Sequence, residues 1–477
     1  MALIDYFQPA NKKKFKDLRE WQKSFFKIWD SDVKENTELI CINLPTGCGK
    51  TLVGLQILEK YLKKDKKRCA YIINEYALAD KVLEHAKDLD IPAVIIRSEK
   101  ASIKVNIPRN IRKKNIINYT RSQVIRISSY DFELYHSNIE PPEILIIDDA
   151  DRFIQNLNRI SSVTISREEC PDFYQEILNK LDPSNYDRLE AIINNKTNRF
   201  EVNLVYPHES VIIANWIQEE RATKVIKDSQ YPKNLQWQLK RNWRELERML
   251  MTFNNEKIIF RPFFPAPRYK DNIFQIPKII LMSATLGTKI SIQKELGVIK
   301  KDILMINEES LKDEELKMGN RIIFPIDVVV ELDQTEINKS CLKIVKYFDK
   351  SLIMSYSGKE QQDLFVKLST EGKKSILYQN YDDLTKFISE KKAHLIAAAK
   401  YYGIDLPLKN CNVGIITWIP KYLDHFDYIY NSLIKNEEYI FELIARRLTQ
   451  AFGRCNRDID DIAIYFVLDQ DFSSPSL

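Results

Sequence analysis

Cysteine or histidine pairs of the kind that bind metals are missing from this sequence. The seven cysteines lie far apart and include no C-x-x-C pair, which argues against a zinc module and against a secreted disulfide framework. The five histidines form no metal-ligand pair, and no nuclease signature stands out. We therefore expect a protein of the reducing cytoplasm, in which any cutting activity would belong to a protein partner.

Long apolar segments are missing as well. Runs such as 144–147 and 279–282 are far shorter than the roughly 18 residues that span a bilayer. The start of the chain has only a short apolar stretch at 2–4 before polar residues appear, so we expect no secretory signal. Internal repeats and low-complexity tracts are not visible. These absences favour a globular protein without a membrane span.

The chain is long, with 477 residues, of which 44% are hydrophobic and 29% are charged. At roughly 150 residues a domain, this length predicts about three domains with hydrophobic cores of their own. A single small binding module is therefore excluded. The net charge of +5 is a mild indication of polyanionic partners and is compatible with any ordinary enzyme.

Short β-rich runs alternate with helix-periodic stretches in the N-terminal third of the chain and again in the C-terminal third. Such alternation predicts an α/β protein with βαβ units and parallel sheets. Between these thirds, residues 152–276 are rich in Trp, Tyr, Asn, Arg and Glu. A segment of this length is too long for a structureless loop. We predict that it folds as a mostly helical insertion, with helical character over 236–253.

Residues 44–51 (Leu-Pro-Thr-Gly-Cys-Gly-Lys-Thr) follow a predicted strand and open a predicted helix. Backbone N–H groups at such a helix start bind phosphate, and glycines let the backbone approach the anion closely. Gly47 and Gly49 would shape the loop, Lys50 would contact the β- and γ-phosphates, and Thr51 would bind Mg²⁺. Leucine replaces the first glycine of the usual pattern. A helix entry with an exposed lysine is the structural alternative.

An acidic partner for this loop lies downstream, at the end of the apolar run 144–147. Asp148 would hold Mg²⁺ through its water shell, and Asp149 would orient and deprotonate the attacking water. An acidic strand end by itself is usually just solvated. Its combination with the phosphate loop indicates a nucleotide-hydrolysing site.

Four segments together resemble the motifs of superfamily 2 helicases. Residues 45–51 resemble motif I of that superfamily, whose form lacks the first glycine, and 148–151 (Asp-Asp-Ala-Asp) resemble motif II. Residues 282–286 (Met-Ser-Ala-Thr-Leu) match motif III, and 450–457 (Gln-Ala-Phe-Gly-Arg-Cys-Asn-Arg) match the Q-x-x-G-R-x-x-R of motif VI. The segments occur in the right order and span most of the chain. The resemblance implies an ATP hydrolase with two RecA-like lobes.

Within the superfamily, the sequence is similar to the XPD/DinG-like group. The Ser-Ala-Thr-Leu of motif III, the run Gly-Ile-Asp-Leu-Pro at 403–407 as motif V, and the large insertion between motifs II and III carry this likeness. In that group the insertion forms an arch over single-stranded DNA. The resemblance implies a first lobe over 1–151 that ends with motif III at 277–305, an arch-like insertion over 152–276, and a second lobe over 306–477.

Two departures from the group affect the expected function. XPD-like enzymes carry four cysteines for an iron–sulfur cluster between motifs Ia and II, whereas residues 70–148 contain none. We therefore expect no cluster. Motif II normally has Glu at its second position, and Asp149 is one methylene shorter. We expect hydrolysis that is slow or unusually dependent on nucleic acid.

The resemblance also assigns roles outside the phosphate loop. Arginines of motif VI would meet the charge that develops on the transferred phosphoryl group when the lobes close over ATP. Gln22 resembles the adenine contact before motif I, although a plain amphipathic helix explains the same pattern. Ser283 and Thr285 would couple the ATP site to the nucleic-acid surface. The predicted catalytic residues are Asp149, Gln450, Arg454 and Arg457. The predicted ATP-binding residues are Gln22, Thr46, Gly47, Cys48, Gly49, Lys50, Thr51, Gly403 and Asp405.

Nucleic acid would be bound by polar side chains at strand ends, where hydroxyls and amides suit phosphate contacts. The stretch 101–126 is basic, lacks Asp and Glu, and occupies the place of the cluster domain of XPD-like enzymes. It would track a strand by charge and stacking, with a solvated basic loop as the alternative. The predicted contacts are Asn74, Arg112, Lys113, Ser129, Ser355 and Tyr356.

These features predict an ATP- and Mg²⁺-dependent helicase or translocase with single-stranded DNA as its favoured track. Backbone-tracking motors contact phosphates and sugars, so the motifs do not separate DNA from RNA. The XPD-like resemblance implies 5′ to 3′ movement. The alternative is an ATP-switched subunit that clamps nucleic acid inside a larger assembly, such as a repair or phage-defence complex, with little unwinding.

Overall fold

The computed structural model describes most of the chain. The described residues are 2–11, 17–45, 47–74, 76–96, 104–106, 124–129, 140–194, 196–197, 201–263, 273–298, 302–311, 319–326, 334–398, 404, 406, 410–419, 425–432, 437–456, 461–469 and 472.

The chain begins with alternating helices and strands. The helices are α1 (Glu20–Asp32), α2 (Lys50–Lys64), α3 (Tyr76–Asp88) and α4 (Ala150–Ile160). The strands are β1 (Leu39–Asn43), β2 (Cys69–Ile73), β3 (Ala93–Ile95), β4 (Lys104–Asn106), β5 (Ile125–Ser129) and β6 (Ile144–Asp148). Strands β1, β2 and β6 consist almost entirely of apolar residues because a parallel sheet is covered on both faces.

A second group of elements follows α4. Its helices are α5 (Pro171–Leu178), α6 (Leu189–Ile193), α7 (Pro207–Trp216), α8 (Ala222–Lys227) and α9 (Lys233–Asn242). Its strands are β7 (Val163–Ser166), β8 (Asn203–Leu204), β9 (Leu250–Phe253) and β10 (Lys257–Arg261). The strands form an antiparallel sheet in the order β7-β10-β9-β8. A hydrophobic core of its own, with Phe173, Tyr174 and Phe260 among its buried members, holds this group together.

The predicted helical character over 236–253 is partly wrong. Helix α9 ends at Asn242, a 3-10 helix covers Trp243–Arg248, and Leu250–Phe253 form strand β9. Strand β9 pairs with β10 in antiparallel register, with Phe253 opposite Ile258. This pairing partner follows the predicted segment in sequence, so the helical periodicity of the segment alone did not reveal it.

The chain then returns to the first lobe through β11 (Lys278–Ser283), α10 (Lys289–Leu296) and β12 (Ile303–Asn307). The resulting eight-stranded sheet has the order β12-β1-β11-β6-β2-β5-β3-β4. Neighbouring strands are parallel except for β3 and β4. Since β1, β11 and β6 are adjacent, the chain segments that follow them meet at one edge of the sheet.

The second lobe is a six-stranded parallel sheet with helices. Its strands, in the order β13-β18-β17-β14-β16-β15, are β13 (Asn320–Pro325), β14 (Lys350–Ser355), β15 (Ser375–Leu377), β16 (Ala393–Ala398), β17 (Val413–Ile416) and β18 (Ile462–Val467). Its helices are α11 (Gln334–Val345), α12 (Gly358–Thr370), α13 (Tyr381–Ser389), α14 (His425–Ser432) and α15 (Glu437–Ala451). The two parallel sheets confirm the predicted fold class of two RecA-like α/β lobes.

Among the described helices, none combines the length and the apolar composition needed to cross a membrane.

Candidate nucleotide site between the two lobes

The phosphate loop joins β1 to α2 and is shaped by two glycines. Gly47 has φ 83° and Gly49 has φ 94°, a left-handed backbone that glycine adopts without steric cost. The ammonium of Lys50 donates to the carbonyl oxygens of Leu44 and Pro45, at 2.8 Å each. Lys50 therefore lies over the loop. Thr46, which was predicted for the same site, lies outside the described residues.

The start of α1 packs against this loop. The amide Nε2 of Gln22 lies 3.1 Å from the position that a Cβ on Gly49 would occupy, and the Gln22 oxygen accepts a hydrogen bond from the backbone N–H of Arg19 at 3.0 Å. The Arg19 guanidinium points to the carbonyl oxygens of Gly47 and Cys48, at 3.4 and 3.5 Å. Gln22 is buried and caps its own helix, and the pair Arg19 and Gln22 forms one wall of the loop.

The acidic residues follow β6, on the neighbouring side of the same sheet edge. Asp148 Oδ2 accepts a hydrogen bond from the Tyr71 hydroxyl at 2.8 Å, and Oδ1 accepts one from the backbone N–H of Asp149 at 3.1 Å. Burial raises the pKa of Asp148 and the charge of Asp149 adds to this rise, whereas the Tyr71 hydrogen bond and the charge of Lys50 oppose it. Two carboxylates and an ammonium therefore share one small, mostly buried site.

Asp151 connects this site to motif III. Its carboxylate accepts hydrogen bonds from the hydroxyls of Ser283 and Thr285, at 2.6 and 3.1 Å. All three side chains are buried. Burial raises the pKa of Asp151, and the two hydroxyl donors act against that rise. The end of β11 is thereby tied to the start of α4.

The same hydroxyl of Thr285 also reaches the second lobe. The Gln450 amide donates to Thr285 Oγ1 at 2.9 Å. The Arg454 guanidinium donates to Gln450 Oε1 at 2.6 Å and to the carbonyl oxygen of Ile404 at 2.8 Å. A continuous chain of buried hydrogen bonds thus runs from Asp151 across the lobe boundary to motifs VI and V. The other predicted residues of those motifs, Gly403, Asp405 and Arg457, lie outside the described part of the chain.

An ion-pair cluster joins the lobes beside this chain. Arg446 on α15 donates to Glu295 on α10 and to Glu442, at 2.8 Å each. Glu442 also accepts from the backbone N–H of Thr288 at 3.2 Å. Burial raises the pKa of Glu295, and the charge of Arg446 acts against the rise. The backbone at Gly287 (φ 75°) passes so close to this cluster that a Cβ there would overlap Arg446 and Glu442.

The predicted nucleic-acid contacts of the first lobe lie at adjacent strand ends. Strands β2 and β5 pair so that Ile73 lies opposite Ser129, which brings Asn74 and Ser129 to the same edge. The amide of Asn74 lies 3.0 Å from that of Asn156 and 2.8 Å from the Arg152 guanidinium. Arg112 and Lys113 lie outside the described residues.

In the second lobe, Ser355 ends β14 and its hydroxyl points to the carbonyl oxygen of Ser357 at 3.4 Å. The next residue, Tyr356, packs edge-on against Trp418, which follows the adjacent strand β17, with ring centroids 5.4 Å apart. Both rings are partly exposed. An aromatic pair therefore lies at this edge of the second sheet.

The residues present fit a nucleotide with a hard divalent cation. The left-handed backbone at Gly47 and Gly49 leaves room that a side chain would fill, beside the Lys50 ammonium. The Thr51 hydroxyl and the Asp148 carboxylate offer oxygen ligands, and Asp148 accepts a hydrogen bond from the Tyr71 phenol. Mg²⁺ is usually held by one or two such protein ligands together with phosphate oxygens. The described residues contain no cluster of three or more His, Cys, Asp or Glu that would hold a metal alone.

Comparisons with known proteins agree with the fold. Residues 15–190 match the family model described as Type III restriction enzyme, res subunit. A solved XPD helicase is 16% identical with a TM-score of 0.64, covering 96% of this chain and 97% of that chain. Xpd4 of S. tokodaii is 14% identical with a TM-score of 0.58, covering 95% and 96%. An apo XPD structure is 17% identical with a TM-score of 0.57, covering 92% and 94%. A search of curated proteins finds no match.

The fold is that of the solved XPD helicases, and the assembled motifs resemble those of superfamily 2 helicases, a class of enzymes that hydrolyse ATP and act on nucleic acid. Within that superfamily, the chain is similar to the XPD/DinG-like group. The predicted recognition and the predicted enzyme class are thereby confirmed.

Sequence reasoning missed three residues that the structure places in or beside this site. Asp151 stands inside motif II, and its position two residues beyond Asp149 was the available signal. Tyr71 had no signal, because an aromatic residue in an apolar strand reads as core. Arg446 had little signal, since Glu442 on the same helix predicts an ordinary surface ion pair and the partner Glu295 comes from the other lobe.

Proposed function

We propose that this helicase-type chain is an ATP- and Mg²⁺-dependent motor that moves along single-stranded DNA. The buried hydrogen-bond chain Asp151–Thr285–Gln450–Arg454 carries this proposal. It joins the helix that follows the expected metal ligand to the lobe that would have to move. A change at the phosphates would therefore be transmitted to the relative position of the lobes.

The proposed roles extend the sequence predictions to this site. Lys50 neutralises the β- and γ-phosphates while the loop N–H groups bind them. Thr51 and Asp148 hold Mg²⁺, which polarises the phosphate when bound. Asp149 accepts the proton of the attacking water. Gln450, Arg454 and Arg457 stabilise the charge that develops on the transferred group.

A single strand is the proposed track because partly exposed groups at the sheet edges suit unpaired nucleotides. Tyr356 beside Trp418 offers ring faces on which bases stack, and the partly exposed Asn74 offers a polar contact to phosphate. Ser129 and Ser355 are buried at the same strand ends, and their proposed contacts rest on the resemblance. We further propose movement from 5′ to 3′ and a role in repair or phage defence with a nuclease or effector partner. We also propose that the protein works without an iron–sulfur cluster. These parts rest on the XPD-like resemblance and on the cysteine positions.

The decisive experiment measures ATP hydrolysis without polymer and with single-stranded DNA, duplex DNA or single-stranded RNA. We expect strong stimulation by single-stranded DNA in the wild type and its loss in Lys50→Ala. The control is Lys64→Ala, which removes an exposed lysine at the other end of the same helix. Stimulation by RNA and not by DNA would show that RNA is the track. Stimulation that persists in Lys50→Ala would overturn the assigned ATP site.

An ATP-switched clamp is the second candidate, and the ion-pair cluster around Arg446 favours it. That cluster already holds the two lobes together through Glu295 and Thr288. Negligible turnover with every polymer, combined with tight ATP binding and ATP-dependent retention of nucleic acid, would favour the clamp over the motor.

The direction of movement has its own test. Partial duplexes with either a 5′ or a 3′ single-stranded tail are offered to the wild type with ATP. Displacement that requires the 5′ tail supports 5′ to 3′ movement, and displacement that requires the 3′ tail contradicts it.

A further inference from the structure

Tyr71 is a buried residue of the first lobe that contacts an expected metal ligand. It lies on β2, its side chain is fully buried, and its ring packs close to Gly54 of α2. Its hydroxyl donates to Asp148 Oδ2 at 2.8 Å. The phenol therefore ties strand β2 to the expected ligand at the end of the neighbouring strand β6.

The phenol hydroxyl is the donor of this hydrogen bond, because an ionised carboxylate can only accept. It therefore occupies one lone-pair direction of Oδ2. Asp149 N–H already donates to Oδ1, so the Asp148 carboxylate is held in one orientation by two donors from different elements.

We propose that Tyr71 is a positioning residue for the metal–nucleotide site, which holds the Asp148 carboxylate in one orientation. This inference rests on the proposed function. Mg²⁺ accepts single oxygens in strict octahedral geometry, whereas Ca²⁺ is larger and readily takes both oxygens of a carboxylate. Because each oxygen of Asp148 already accepts one hydrogen bond, the carboxylate suits contact through a single oxygen, as with Mg²⁺, better than the two-oxygen binding of Ca²⁺.

The test measures ADP binding by calorimetry to the full-length protein in EDTA, in Mg²⁺ and in Ca²⁺. Tyr71→Phe keeps the ring and removes only the hydroxyl. The matched control is Tyr174→Phe. Tyr174 is also fully buried, and its hydroxyl donates to the carbonyl oxygen of Asn254. Both residues belong to the inserted segment that contains the antiparallel sheet. Thermal melting of both variants reports on their folding.

For Tyr71→Phe we expect an unchanged metal-free affinity and a loss of about tenfold in the affinity gained from Mg²⁺, the usual cost of removing a partner of a metal ligand. The gain from Ca²⁺ should fall less, so the preference for Mg²⁺ over Ca²⁺ should narrow. The control should bind as the wild type does in all three conditions.

Three results would overturn the inference: equal losses with and without metal, an unchanged Mg²⁺ gain, or an unchanged preference between the two cations. Equal losses would show that the hydroxyl only supports the fold. A wild type that binds ADP without any gain from Mg²⁺ would instead overturn the metal site of the proposed function. The wild-type measurement therefore separates the two failures.

Discussion

Asp149 has an unusual backbone conformation and is the proposed catalytic base. It has φ 48° and ψ 52°, a left-handed conformation that Asp and Asn adopt more readily than other side chains apart from glycine. At this position the chain turns from β6 into α4, and the turn directs Asp148 and Asp151 to different partners. Glutamate would fit this backbone less well, which gives the shorter residue a structural reason.

Asp149→Asn should separate binding from chemistry. Asparagine tolerates the same backbone, so we expect ADP affinity within twofold of the wild type. Polymer-stimulated hydrolysis should fall by about 100-fold or more, because an amide does not accept the proton of water. Steady-state ATP hydrolysis measures this. Asp363→Asn on the surface of α12 serves as control, and near-normal turnover in Asp149→Asn would assign the base elsewhere.

At the scale of single elements, strand β17 depends on one glycine. A Cβ at Gly414 would lie 2.6 Å from Cε1 of Tyr465 on the neighbouring strand. The Tyr465 ring is fully buried, packs edge-on against Phe452 at 5.1 Å, and its hydroxyl accepts from the backbone N–H of Cys455 at 3.1 Å. The ring therefore connects the sheet to motif VI. Its packing leaves no space for it to shift away from a side chain added at Gly414.

Gly414→Ala should destabilise the second lobe by about 1–3 kcal/mol, the usual cost of overpacking a core. Chemical unfolding curves measure the change. Gly358→Ala is the matched control, because a Cβ there meets nothing within 4 Å at the start of α12, and we expect it to be neutral or slightly stabilising. Equal stability of the two variants would mean that the Tyr465 ring moves freely.

The pairing of β14 with β16 predicts a pH effect on stability. His394 is buried opposite Ser351, whose hydroxyl lies 2.9 Å from Nδ1. Burial and the charge of Lys373 together lower the pKa of His394 from 6.5 to about 4, against the opposing charge of Asp349. Between these two pKa values, His394 is protonated in the unfolded chain and neutral in the folded lobe. The free energy of unfolding therefore decreases as pH falls through this window.

We expect the free energy of unfolding to fall by about 3 kcal/mol at most over this window, with no contribution from His394 above it. Unfolding curves at several pH values measure this. His394→Gln should remove this part of the pH dependence, and His208→Gln, at an exposed histidine, should retain it. Identical pH profiles for the wild type and His394→Gln would contradict the prediction.

At the scale of the whole molecule, contacts between described residues join the two lobes and the inserted segment. The lobes meet at Gln450–Thr285 and at the Arg446 cluster. The antiparallel sheet of the inserted segment also reaches the second lobe, where Thr252 lies 2.8 Å from Nδ1 of His425 and Arg261 lies over the Phe426 ring at 4.3 Å. The inserted segment thus contacts both lobes, by chain connection and by packing.

Arg446→Gln should loosen the lobes. Loss of one partner leaves two acidic groups near each other without their counter-charge, which costs about 3–5 kcal/mol at a buried pair. We expect a lower thermal midpoint and a larger radius of gyration in small-angle scattering. Arg248→Gln removes an exposed arginine paired with Glu245 and should change neither measurement, since exposed pairs contribute little. An unchanged radius in Arg446→Gln would show that other contacts hold the lobes.

The residues of the nucleotide site could be predicted from the sequence because their chemistry is local. Gly47, Gly49, Lys50 and Asp148 each stand directly at a strand end or a helix start, and such positions follow from short apolar runs and turn residues. Parallel strands also bring such ends to one edge of a sheet. The fold class and the enzyme class were therefore readable without coordinates.

Tertiary structure alone decided which distant side chains complete the site. Tyr71 looks like any core aromatic until β2 and β6 become neighbours, and Arg446 looks like a helix-face arginine until α10 of the other lobe supplies Glu295. Strand β9 shows the same limit, because its antiparallel partner lies outside the segment that read as helical. Local sequence determines which side chains stand at strand ends and helix starts. Only packing between distant segments determines which of them come into contact.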